Sequence, residues 1–157
     1  MDWGLTVAIA GAASAAIFSG IGSAIGINYA AQVADGVLSE DPEKFGSLLV
    51  MVVLPGTQGI YGFVSAFLTI LKLGLLGGTP PDISLAQGWQ IFFACMPVAL
   101  AGLVSAIYQG KVAAAGVAMT AKQPSHFMKG VIYAALVETY AILGLLVTIL
   151  LINGIQL

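Results

Sequence analysis

The sequence contains no arginine, and charged residues make up only 8% of its 157 residues. Soluble domains carry about 25% charged residues, so this composition excludes an ordinary soluble protein. With 59% hydrophobic residues and a mean hydropathy of +1.02, most of the chain belongs in a lipid bilayer. The formal net charge of −2 and the lack of arginine also argue against a nucleic-acid partner.

Cysteine and the common catalytic patterns are scarce as well. Cys95 is the only cysteine and lies in an apolar stretch, which excludes an intrachain disulfide and indicates a buried thiol. The sequence has no GxxxxGK[ST] phosphate loop, no evident nucleophile–base pair and no His/Cys cluster. We therefore expect neither an enzyme nor an organic cofactor. The amino terminus carries Asp2 in place of a basic region, so we expect a retained membrane helix and not a signal peptide.

Four apolar blocks are each long enough to cross a bilayer, which requires about 20 residues. They cover residues 5–34, 46–76, 85–121 and 127–152. The breaks between them, residues 35–45, 77–84 and 122–126, are short and polar. The sequence therefore predicts an all-α membrane protein with four transmembrane helices arranged as two hairpins.

The two hairpins are similar in sequence when Pro42 is placed on Pro124, a numbering offset of 124 − 42 = 82. The matches include Gly20 on Gly102, Ser23-Ala24-Ile25 on Ser105-Ala106-Ile107, Phe45 on Phe127, Leu54 on Leu136, Thr57 on Thr139 and Gly62 on Gly144. The predicted units are residues 1–76, an outer loop 77–84 and residues 85–157. Because a complete hairpin separates the two copies of the repeat, they have the same orientation in the membrane.

Lysines indicate how the chain is oriented. Lys44, Lys122 and Lys129 flank the turns 35–45 and 122–126. The positive-inside rule places these turns in the cytoplasm and both termini outside. Trp3 and Trp89 then lie at the outer interface, where aromatic belts occur.

Helices one and three carry small residues at helical spacing. The positions are Gly4, Ala8, Gly11, Ala15, Ser19, Gly22, Gly26 and Ala30, and then Ala99, Gly102, Ala106, Gly110 and Ala113. Small residues on one face allow helices to approach closely in lipid. The pattern fits close packing inside one bundle and equally the inner wall of a ring of copies.

Glu138 lies in the middle of the last apolar block. A charge at that depth costs about 2.5–3.5 kcal/mol on insertion scales, so such a residue usually has a partner or a function. Its counterpart in the first hairpin is Gly56, and the counterpart of Gln109 is Ile27. The chemistry is therefore unequal in the two similar hairpins.

Polar side chains on three helices reach one depth. Gln58 follows Pro42 in the first hairpin, and in the second hairpin Gln109 precedes Pro124 and Glu138 follows it. At a rise of 1.5 Å per residue, all three lie about 21–24 Å from the cytoplasmic turns. Close to Gln58, Pro55 lacks an amide hydrogen and should bend helix two, which frees a backbone carbonyl.

The composition of this polar set favours an alkali cation. A site for H⁺ alone requires one carboxyl group, whereas Na⁺ takes oxygen ligands, to which unwound backbone commonly contributes. One carboxylate on Glu138 neutralises one monovalent cation. The alternative is a hydrogen-bonded cluster that holds the helices together, with contacts worth about 0.6–2 kcal/mol each.

Three motifs resemble a known family: LPGTQGIYGF (54–63), YQGKVAAAG (108–116) and VETYAILG (137–144). They are similar to the rotor-ring proteolipid of V-type ATPases, and more narrowly to its bacterial sodium-pumping branch. The resemblance covers nearly the whole chain. It implies a homo-oligomeric ring in the cell membrane that turns with ATP hydrolysis in a separate soluble head.

The resemblance also implies residue roles and partners. Each copy would carry one Na⁺ on Glu138, and the co-ligands would be the Leu54 carbonyl, Thr57, Gln58 and Gln109. Tyr61 would hold Glu138 by a hydrogen bond. The implied partners are identical copies, lipid, central-stalk subunits at the cytoplasmic turns, and a stator subunit that supplies a cationic residue.

Two alternatives remain open from the sequence. The same rotor could carry H⁺, since Glu138 serves either ion. A passive oligomeric pore or a structural membrane protein would differ in tolerating Glu138→Gln. For Lys111, deep in helix three, snorkelling towards the cytoplasm and a wet ring interior are both open.

Overall fold

The computed structural model describes residues 3–78 and 81–157 as helices joined by short turns. Asp2, on which the expectation of a retained membrane helix rests, lies outside the described residues, as do Thr79 and Pro80 of the predicted outer loop. Four helical stretches are long and apolar enough to cross a membrane, which confirms the predicted number of spans. They are Trp3–Leu38, Pro42–Lys72, Leu85–Lys122 and Pro124–Gly154.

The second span is divided by a short break. Helices α1 (Trp3–Leu38), α4 (Leu85–Lys122) and α5 (Phe127–Gly154) are continuous, whereas α2 (Phe45–Val53) and α3 (Thr57–Lys72) are joined by a 3-10 turn at Leu54–Gly56. Pro55 causes this break because it has no amide hydrogen for the α-helical ladder. The tighter turn keeps α2 and α3 in one membrane span.

Helices α1 and α4 run parallel and in register, as the repeat predicts. A Cβ atom added at Gly4 would collide with Ser84, one at Gly22 would lie 2.7 Å from the Leu103 Cα, and one at Gly110 would collide with Gly26. The small residues on both helices therefore bring the two backbones together. This close contact is the centre of the molecule, with α3 against α1 and α5 against α4.

Leucine, methionine and valine side chains fill the space between the hairpins on the side of the turns. Leu48 and Met51 of α2 are fully buried against Val117 of α4. Because these apolar side chains join α2 to α4, the first hairpin is held against the second between the turns and the break in span two.

Two details of the first turn concern the helix ends. Asp41, which precedes the 3-10 turn at Pro42–Lys44, makes no side-chain capping bond, and its carboxylate lies 3.1 Å from the Lys44 ammonium. Helix α1 extends to Leu38, past the predicted end of the apolar block, because polar residues can continue a helix outside the membrane.

Lysines join the helix ends. The Lys44 ammonium donates to the Ala121 carbonyl at 3.1 Å, and the Lys72 ammonium donates to the Ile152 and Ile155 carbonyls, each at 2.5 Å. The last carbonyls of a helix lack intrahelical partners and carry partial negative charge. Each lysine of the first hairpin therefore fixes a carboxyl-terminal helix end of the second.

Candidate functional site

The break in the second span places three oxygen atoms next to one another. The Thr57 hydroxyl donates to the Leu54 carbonyl at 2.9 Å and lies 3.3 Å from the Gln58 Oε1 atom. The amide hydrogen of Gly59 points to the Ser23 hydroxyl of α1, which accepts it at 2.7 Å. The opened backbone is therefore supported from α1, and the oxygens of Leu54, Thr57 and Gln58 are grouped at the break.

Two glutamines connect this break to the second hairpin. The Gln58 Nε2 group donates to the Gln109 Oε1 atom at 2.5 Å. Gln109 in turn donates from its Nε2 group to the Ala134 carbonyl at 3.1 Å and to the Glu138 carboxylate at 3.3 Å. The residues that the sequence places at one depth thus form one chain of contacts over α3, α4 and α5.

Tyr61 completes the contacts of the carboxylate. Its hydroxyl donates to the Glu138 Oε1 atom at 2.5 Å, while Gln109 reaches the Oε2 atom. Tyr61 lies one helical turn after Thr57, on the same face of α3. Two neutral donors from two different helices therefore fix the orientation of the Glu138 side chain.

Burial gives this site a distinct electrostatic character. The side chains of Gln58 and Gln109 are completely buried, and Glu138 is partly buried. Within the described chain the only ion pair joins Lys44 and Asp41, so no lysine neutralises Glu138. Such a carboxylate, flanked by amide and hydroxyl groups in an apolar bundle, favours a bound cation.

The ligand types restrict which cation fits. In residues 3–78 and 81–157 there is no group of three or more His, Cys, Asp and Glu side chains that could hold a metal ion. The site offers one carboxylate and neutral oxygens from a threonine, two glutamines and backbone carbonyls. Hard oxygen ligands with a single negative charge suit a monovalent alkali cation better than a divalent one.

Sequence reasoning missed two supporting groups. The Ala134 carbonyl accepts from Gln109, and the Ser23 hydroxyl accepts from the amide of Gly59. Ser23 belongs to a helix that already shows a small-residue face, and its place opposite Gly59 follows only from the packing of α1 on α3. Ala134 lies one turn before Glu138 on α5, so this position was open to prediction from helical spacing.

Lys111 lies outside the site. Its ammonium is 5.1 Å from the ring centroid of Tyr108 and 5.6 Å from that of Tyr29. Contacts at this distance with the face of an aromatic ring are favourable cation–π interactions. The lysine therefore has aromatic partners on α1 and α4.

Comparison with known families supports the internal repeat. The sequence profile of the C subunit of ATP synthase matches this chain twice, over residues 10–69 and 92–151. The starting points of the two matches differ by 92 − 10 = 82, which equals the offset of the repeat found within the sequence. The chain therefore contains two units of one family, each covering one hairpin.

Named relatives extend over nearly the whole chain. The V-type sodium ATPase subunit K of Enterococcus hirae is 49% identical over 149 residues, which cover 95% of this chain and 92% of that protein. The A-type ATP synthase subunit K of Methanocaldococcus jannaschii is 39% identical, with 96% of this chain and 64% of that protein covered. The 16 kDa proteolipid of the human V-type proton ATPase is 31% identical, with coverages of 92% and 89%.

Proposed function

Because this chain belongs to the family of the ATP synthase C subunit, we propose that it is a rotor-ring subunit of a V-type ATPase that carries Na⁺ on Glu138. It is a multi-pass membrane protein and a non-catalytic part of an ATP-driven transport complex. ATP hydrolysis takes place in other subunits. The cation moves because the ring turns and carries each loaded copy with it.

One observation supports Na⁺ most directly. Side chains of α3 and α4 reach Glu138 of α5, and the amide groups of Gln109, which contacts it, and of Gln58, which contacts Gln109, are fully buried. Burying a polar amide is costly unless it is bonded, and a proton carrier has no need of two. We assign the Leu54 carbonyl, Thr57, Gln58, Gln109 and Glu138 as the Na⁺ ligands.

Binding of Na⁺ requires only small shifts in the positions of these oxygen atoms. The Thr57 hydroxyl that donates to Leu54 lies beside the Gln58 oxygen, so a cation between them would meet three neutral oxygens. The Glu138 carboxylate supplies the compensating charge. Tyr61 has a supporting role, since its hydroxyl holds one carboxylate oxygen in place, while the other oxygen, which accepts from the Gln109 amide, would turn to the ion.

The assembly follows from the same assignment. Identical copies form a ring in the cell membrane, surrounded by lipid, with the turns 35–45 and 122–126 in the cytoplasm and both termini outside. Central-stalk subunits attach at these turns. Release of the cation requires a positive group opposite Glu138, which a stator subunit supplies because the chain contains no arginine.

Carbodiimide labelling of Glu138 on the purified ring tests the ion. The reagent modifies protonated carboxyl groups, so a cation bound to the carboxylate slows the reaction. We expect Na⁺ to slow the labelling at fixed pH, while K⁺ at the same ionic strength leaves the rate unchanged. Mass spectrometry of the peptide that contains Glu138 gives the rate.

A rotor for H⁺ gives a different result in the same experiment. The labelling rate then depends on pH alone, and Gln109→Leu leaves it unaffected. That outcome would overturn the assignment of Na⁺ while leaving the rotor function in place. A passive pore or a structural protein is excluded if Glu138→Gln stops ATP-driven transport in an assembled ring.

A further inference from the structure

The ends of α3 and α5 form a groove of about 210 Å³ on the side of the molecule opposite the turns. Its lining combines apolar side chains with one cation and one amide: Leu68, Lys72, Ile149, Ile152 and Asn153. Lys72 is the last residue of α3, and Asn153 lies one residue before the end of α5. The groove therefore joins two helix ends and has a charged group in its wall.

Both polar residues of the groove reach the depth of the outer headgroups. Lys72 follows Pro42 by 72 − 42 = 30 residues, and Asn153 follows Pro124 by 153 − 124 = 29 residues. At a rise of 1.5 Å per residue, these helical stretches are about 44–45 Å long. A bilayer with its headgroups is about 40–45 Å thick. With the turn prolines at one membrane surface, Lys72 and Asn153 lie at the other.

Lys72 is a half-buried cation that lacks a carboxylate partner. Its ammonium donates to the Ile152 and Ile155 carbonyls, and its third N–H bond has no acceptor within the described chain. Among residues 3–78 and 81–157 it forms no ion pair, and Asp82 of the outer loop is exposed. Removing a cation from water is costly unless an anion or further hydrogen bonds compensate. The groove therefore favours an anion.

The surroundings of Lys72 favour a lipid over a soluble anion. Helix α3 contacts α1, α4 and α5, while α1 and α4 pack on each other, so the groove between α3 and α5 faces away from the central pair. Large apolar side chains of α3 and α5 next to it are exposed, between 43% for Phe67 and 71% for Leu150. Acyl chains would cover this surface, whereas a free phosphate would not.

We propose that the groove binds an anionic phospholipid of the outer leaflet, with its phosphodiester on Lys72 and a headgroup hydroxyl on Asn153. Basic pockets between membrane helices recognise lipid headgroups in this way. A zwitterionic lipid brings its own cation, which competes with Lys72 for the phosphate. The inference rests on the proposed function only for the orientation of the helices in the membrane.

The amide of Asn153 is suited to a headgroup hydroxyl. Its Nδ2 group donates to the Ile149 carbonyl at 2.9 Å, so its Oδ1 atom can accept from the lipid. The repeat offers no second site of this kind, because the counterpart of Lys72 is residue 72 + 82 = 154, which is glycine. Each copy should therefore bind one such lipid.

Native mass spectrometry of the delipidated ring, mixed with phosphatidylglycerol, tests the site by counting bound lipid. We expect Lys72→Met to bind this lipid about tenfold more weakly than the wild type, since a hydrogen bond to a charged phosphate is lost. Lys72→Arg keeps the charge and should bind like the wild type. Equal binding by the wild type and Lys72→Met, in rings of normal native mass, would overturn the proposal.

Two other ligands identify what the groove recognises. We expect phosphatidylcholine to bind equally weakly to the wild type and Lys72→Met, because its own cation occupies the phosphate. Glycerol phosphate at the same concentration should not displace phosphatidylglycerol. Displacement by glycerol phosphate would identify a site for a soluble anion, and a wild-type preference for phosphatidylcholine would refute recognition of net negative charge.

Lys44 provides the matched control. Its ammonium also donates to a carbonyl at a helix end, that of Ala121, but it is already paired with Asp41. We expect Lys44→Met to bind phosphatidylglycerol like the wild type. An equal loss of binding in Lys44→Met would mean that any lost lysine weakens the lipid contact, which contradicts a site at Lys72.

A second variant leaves the contacts of Lys72 with α5 intact. Asn153 is exposed and donates only within its own helix, so Asn153→Leu should fold normally. We expect it to bind phosphatidylglycerol about threefold more weakly, the loss of one neutral hydrogen bond. Unchanged binding would refute a role for Asn153 in holding the headgroup.

The lipid site and the proposed function can fail separately. Asn153 lies 153 − 138 = 15 residues from Glu138, about 22 Å along α5, so Na⁺ should slow Glu138 labelling equally in the wild type and Lys72→Met. A ring that responds to Na⁺ but binds the lipid equally with and without Lys72 would refute only the lipid site. Lipid binding that depends on Lys72 in a ring without a Na⁺ response would refute only the sodium function.

Discussion

The two hairpins have one backbone plan and different chemistry. In both, a threonine hydroxyl donates to the carbonyl three residues earlier: Thr57 to Leu54 at 2.9 Å and Thr139 to Leu136 at 2.8 Å. Pro55 opens the second helix of the first hairpin there. The equivalent helix of the second hairpin, α5, has Val137 at this position and continues unbroken. The first hairpin thus contributes neutral oxygens from opened backbone, and the second contributes the charge.

The difference shows how a duplicated scaffold acquires a single site. A carboxylate in each hairpin would place two charges per copy in the membrane, at about 2.5–3.5 kcal/mol each. With glycine at position 56 and glutamate at 138, one charge per copy is enough to bind one cation. The division of the proposed ligands over the two hairpins also means that the proposed site forms only when the hairpins pack against each other.

Removing the carboxylate of Glu138, which has no equivalent in the first hairpin, should produce the largest effect. We expect Glu138→Gln to abolish ATP-driven Na⁺ uptake into vesicles, because the neutral amide cannot compensate the ion. The ring should still assemble, since Gln keeps the size of the side chain and can accept from Tyr61. Uptake at the wild-type rate, with assembly confirmed by native mass, would show that Glu138 does not carry the ion.

Replacing Gln109 of the second hairpin by isoleucine, the residue at the equivalent position of the first hairpin, should have the next largest effect. Gln109→Ile copies Ile27 and removes the bonds to Gln58, Ala134 and Glu138. We expect Na⁺ affinity to fall by at least about tenfold to a hundredfold, the loss that follows removal of a group that only orients a metal ligand, because Gln109 is itself a proposed ligand. Isothermal titration of the detergent-solubilised ring measures this change.

The converse substitution is the control for that comparison. Ile27→Gln introduces an amide at the matching position of α1, which has no carboxylate partner there because residue 56 is glycine. We expect the Na⁺ affinity of Ile27→Gln to match that of the wild type. Equal losses of Na⁺ affinity in Gln109→Ile and Ile27→Gln would mean that the affinity depends on side-chain size and not on the hydrogen bonds of the Gln109 amide.

The Tyr61 hydroxyl should have a smaller effect on the retention of the ion. Its counterpart in the second hairpin is Leu143, so this hydroxyl is specific to the site. Tyr61→Phe removes a hydrogen bond to a charged group, worth about 1.5–3 kcal/mol. We expect Na⁺ to exchange at least about tenfold faster, as measured by the release of radioactive sodium, while an unchanged exchange rate would assign Tyr61 to packing alone.

Removing the Ser23 hydroxyl, which supports the opened backbone at Leu54–Gly56, should have the smallest effect. Ser23→Ala leaves the Gly59 amide without its acceptor. We expect the ring to lose about 1–3 kcal/mol of stability per copy, seen as a lower temperature of dissociation. Ser14→Ala is the control, because Ser14 is only partly buried and its hydroxyl donates to its own helix at Ala10; a similar shift in both variants would deny Ser23 a special role.

Residue counting predicts the depth of the site because the helical rise is constant. Gln58, Gln109 and Glu138 each lie about four helical turns from a turn proline, and the structure joins them in one chain of contacts. Four spans and the parallel repeat were predictable for similar reasons, since length, hydropathy and the offset between the two copies are properties of the sequence.

Rotation of helices and side chains could not be predicted in the same way. Counting gives a depth but not which oxygen faces which donor, so the bond from Gln109 to the Ala134 carbonyl was missed. Similarly, the lysines near the turns predict orientation, yet only the packed structure shows Lys44 at the Ala121 carbonyl and Asp41 paired with it. These contacts depend on tertiary packing of residues far apart in the chain.

The most direct test of the difference between the two hairpins is the number of Na⁺ ions bound per copy. Equilibrium dialysis of the purified ring with radioactive sodium, with protein quantified by amino-acid analysis, gives this number. We predict one Na⁺ for each 157-residue copy and none in Glu138→Gln. Two ions per copy would show that a second site exists besides the one at Glu138, and no saturable binding would contradict a sodium site at Glu138.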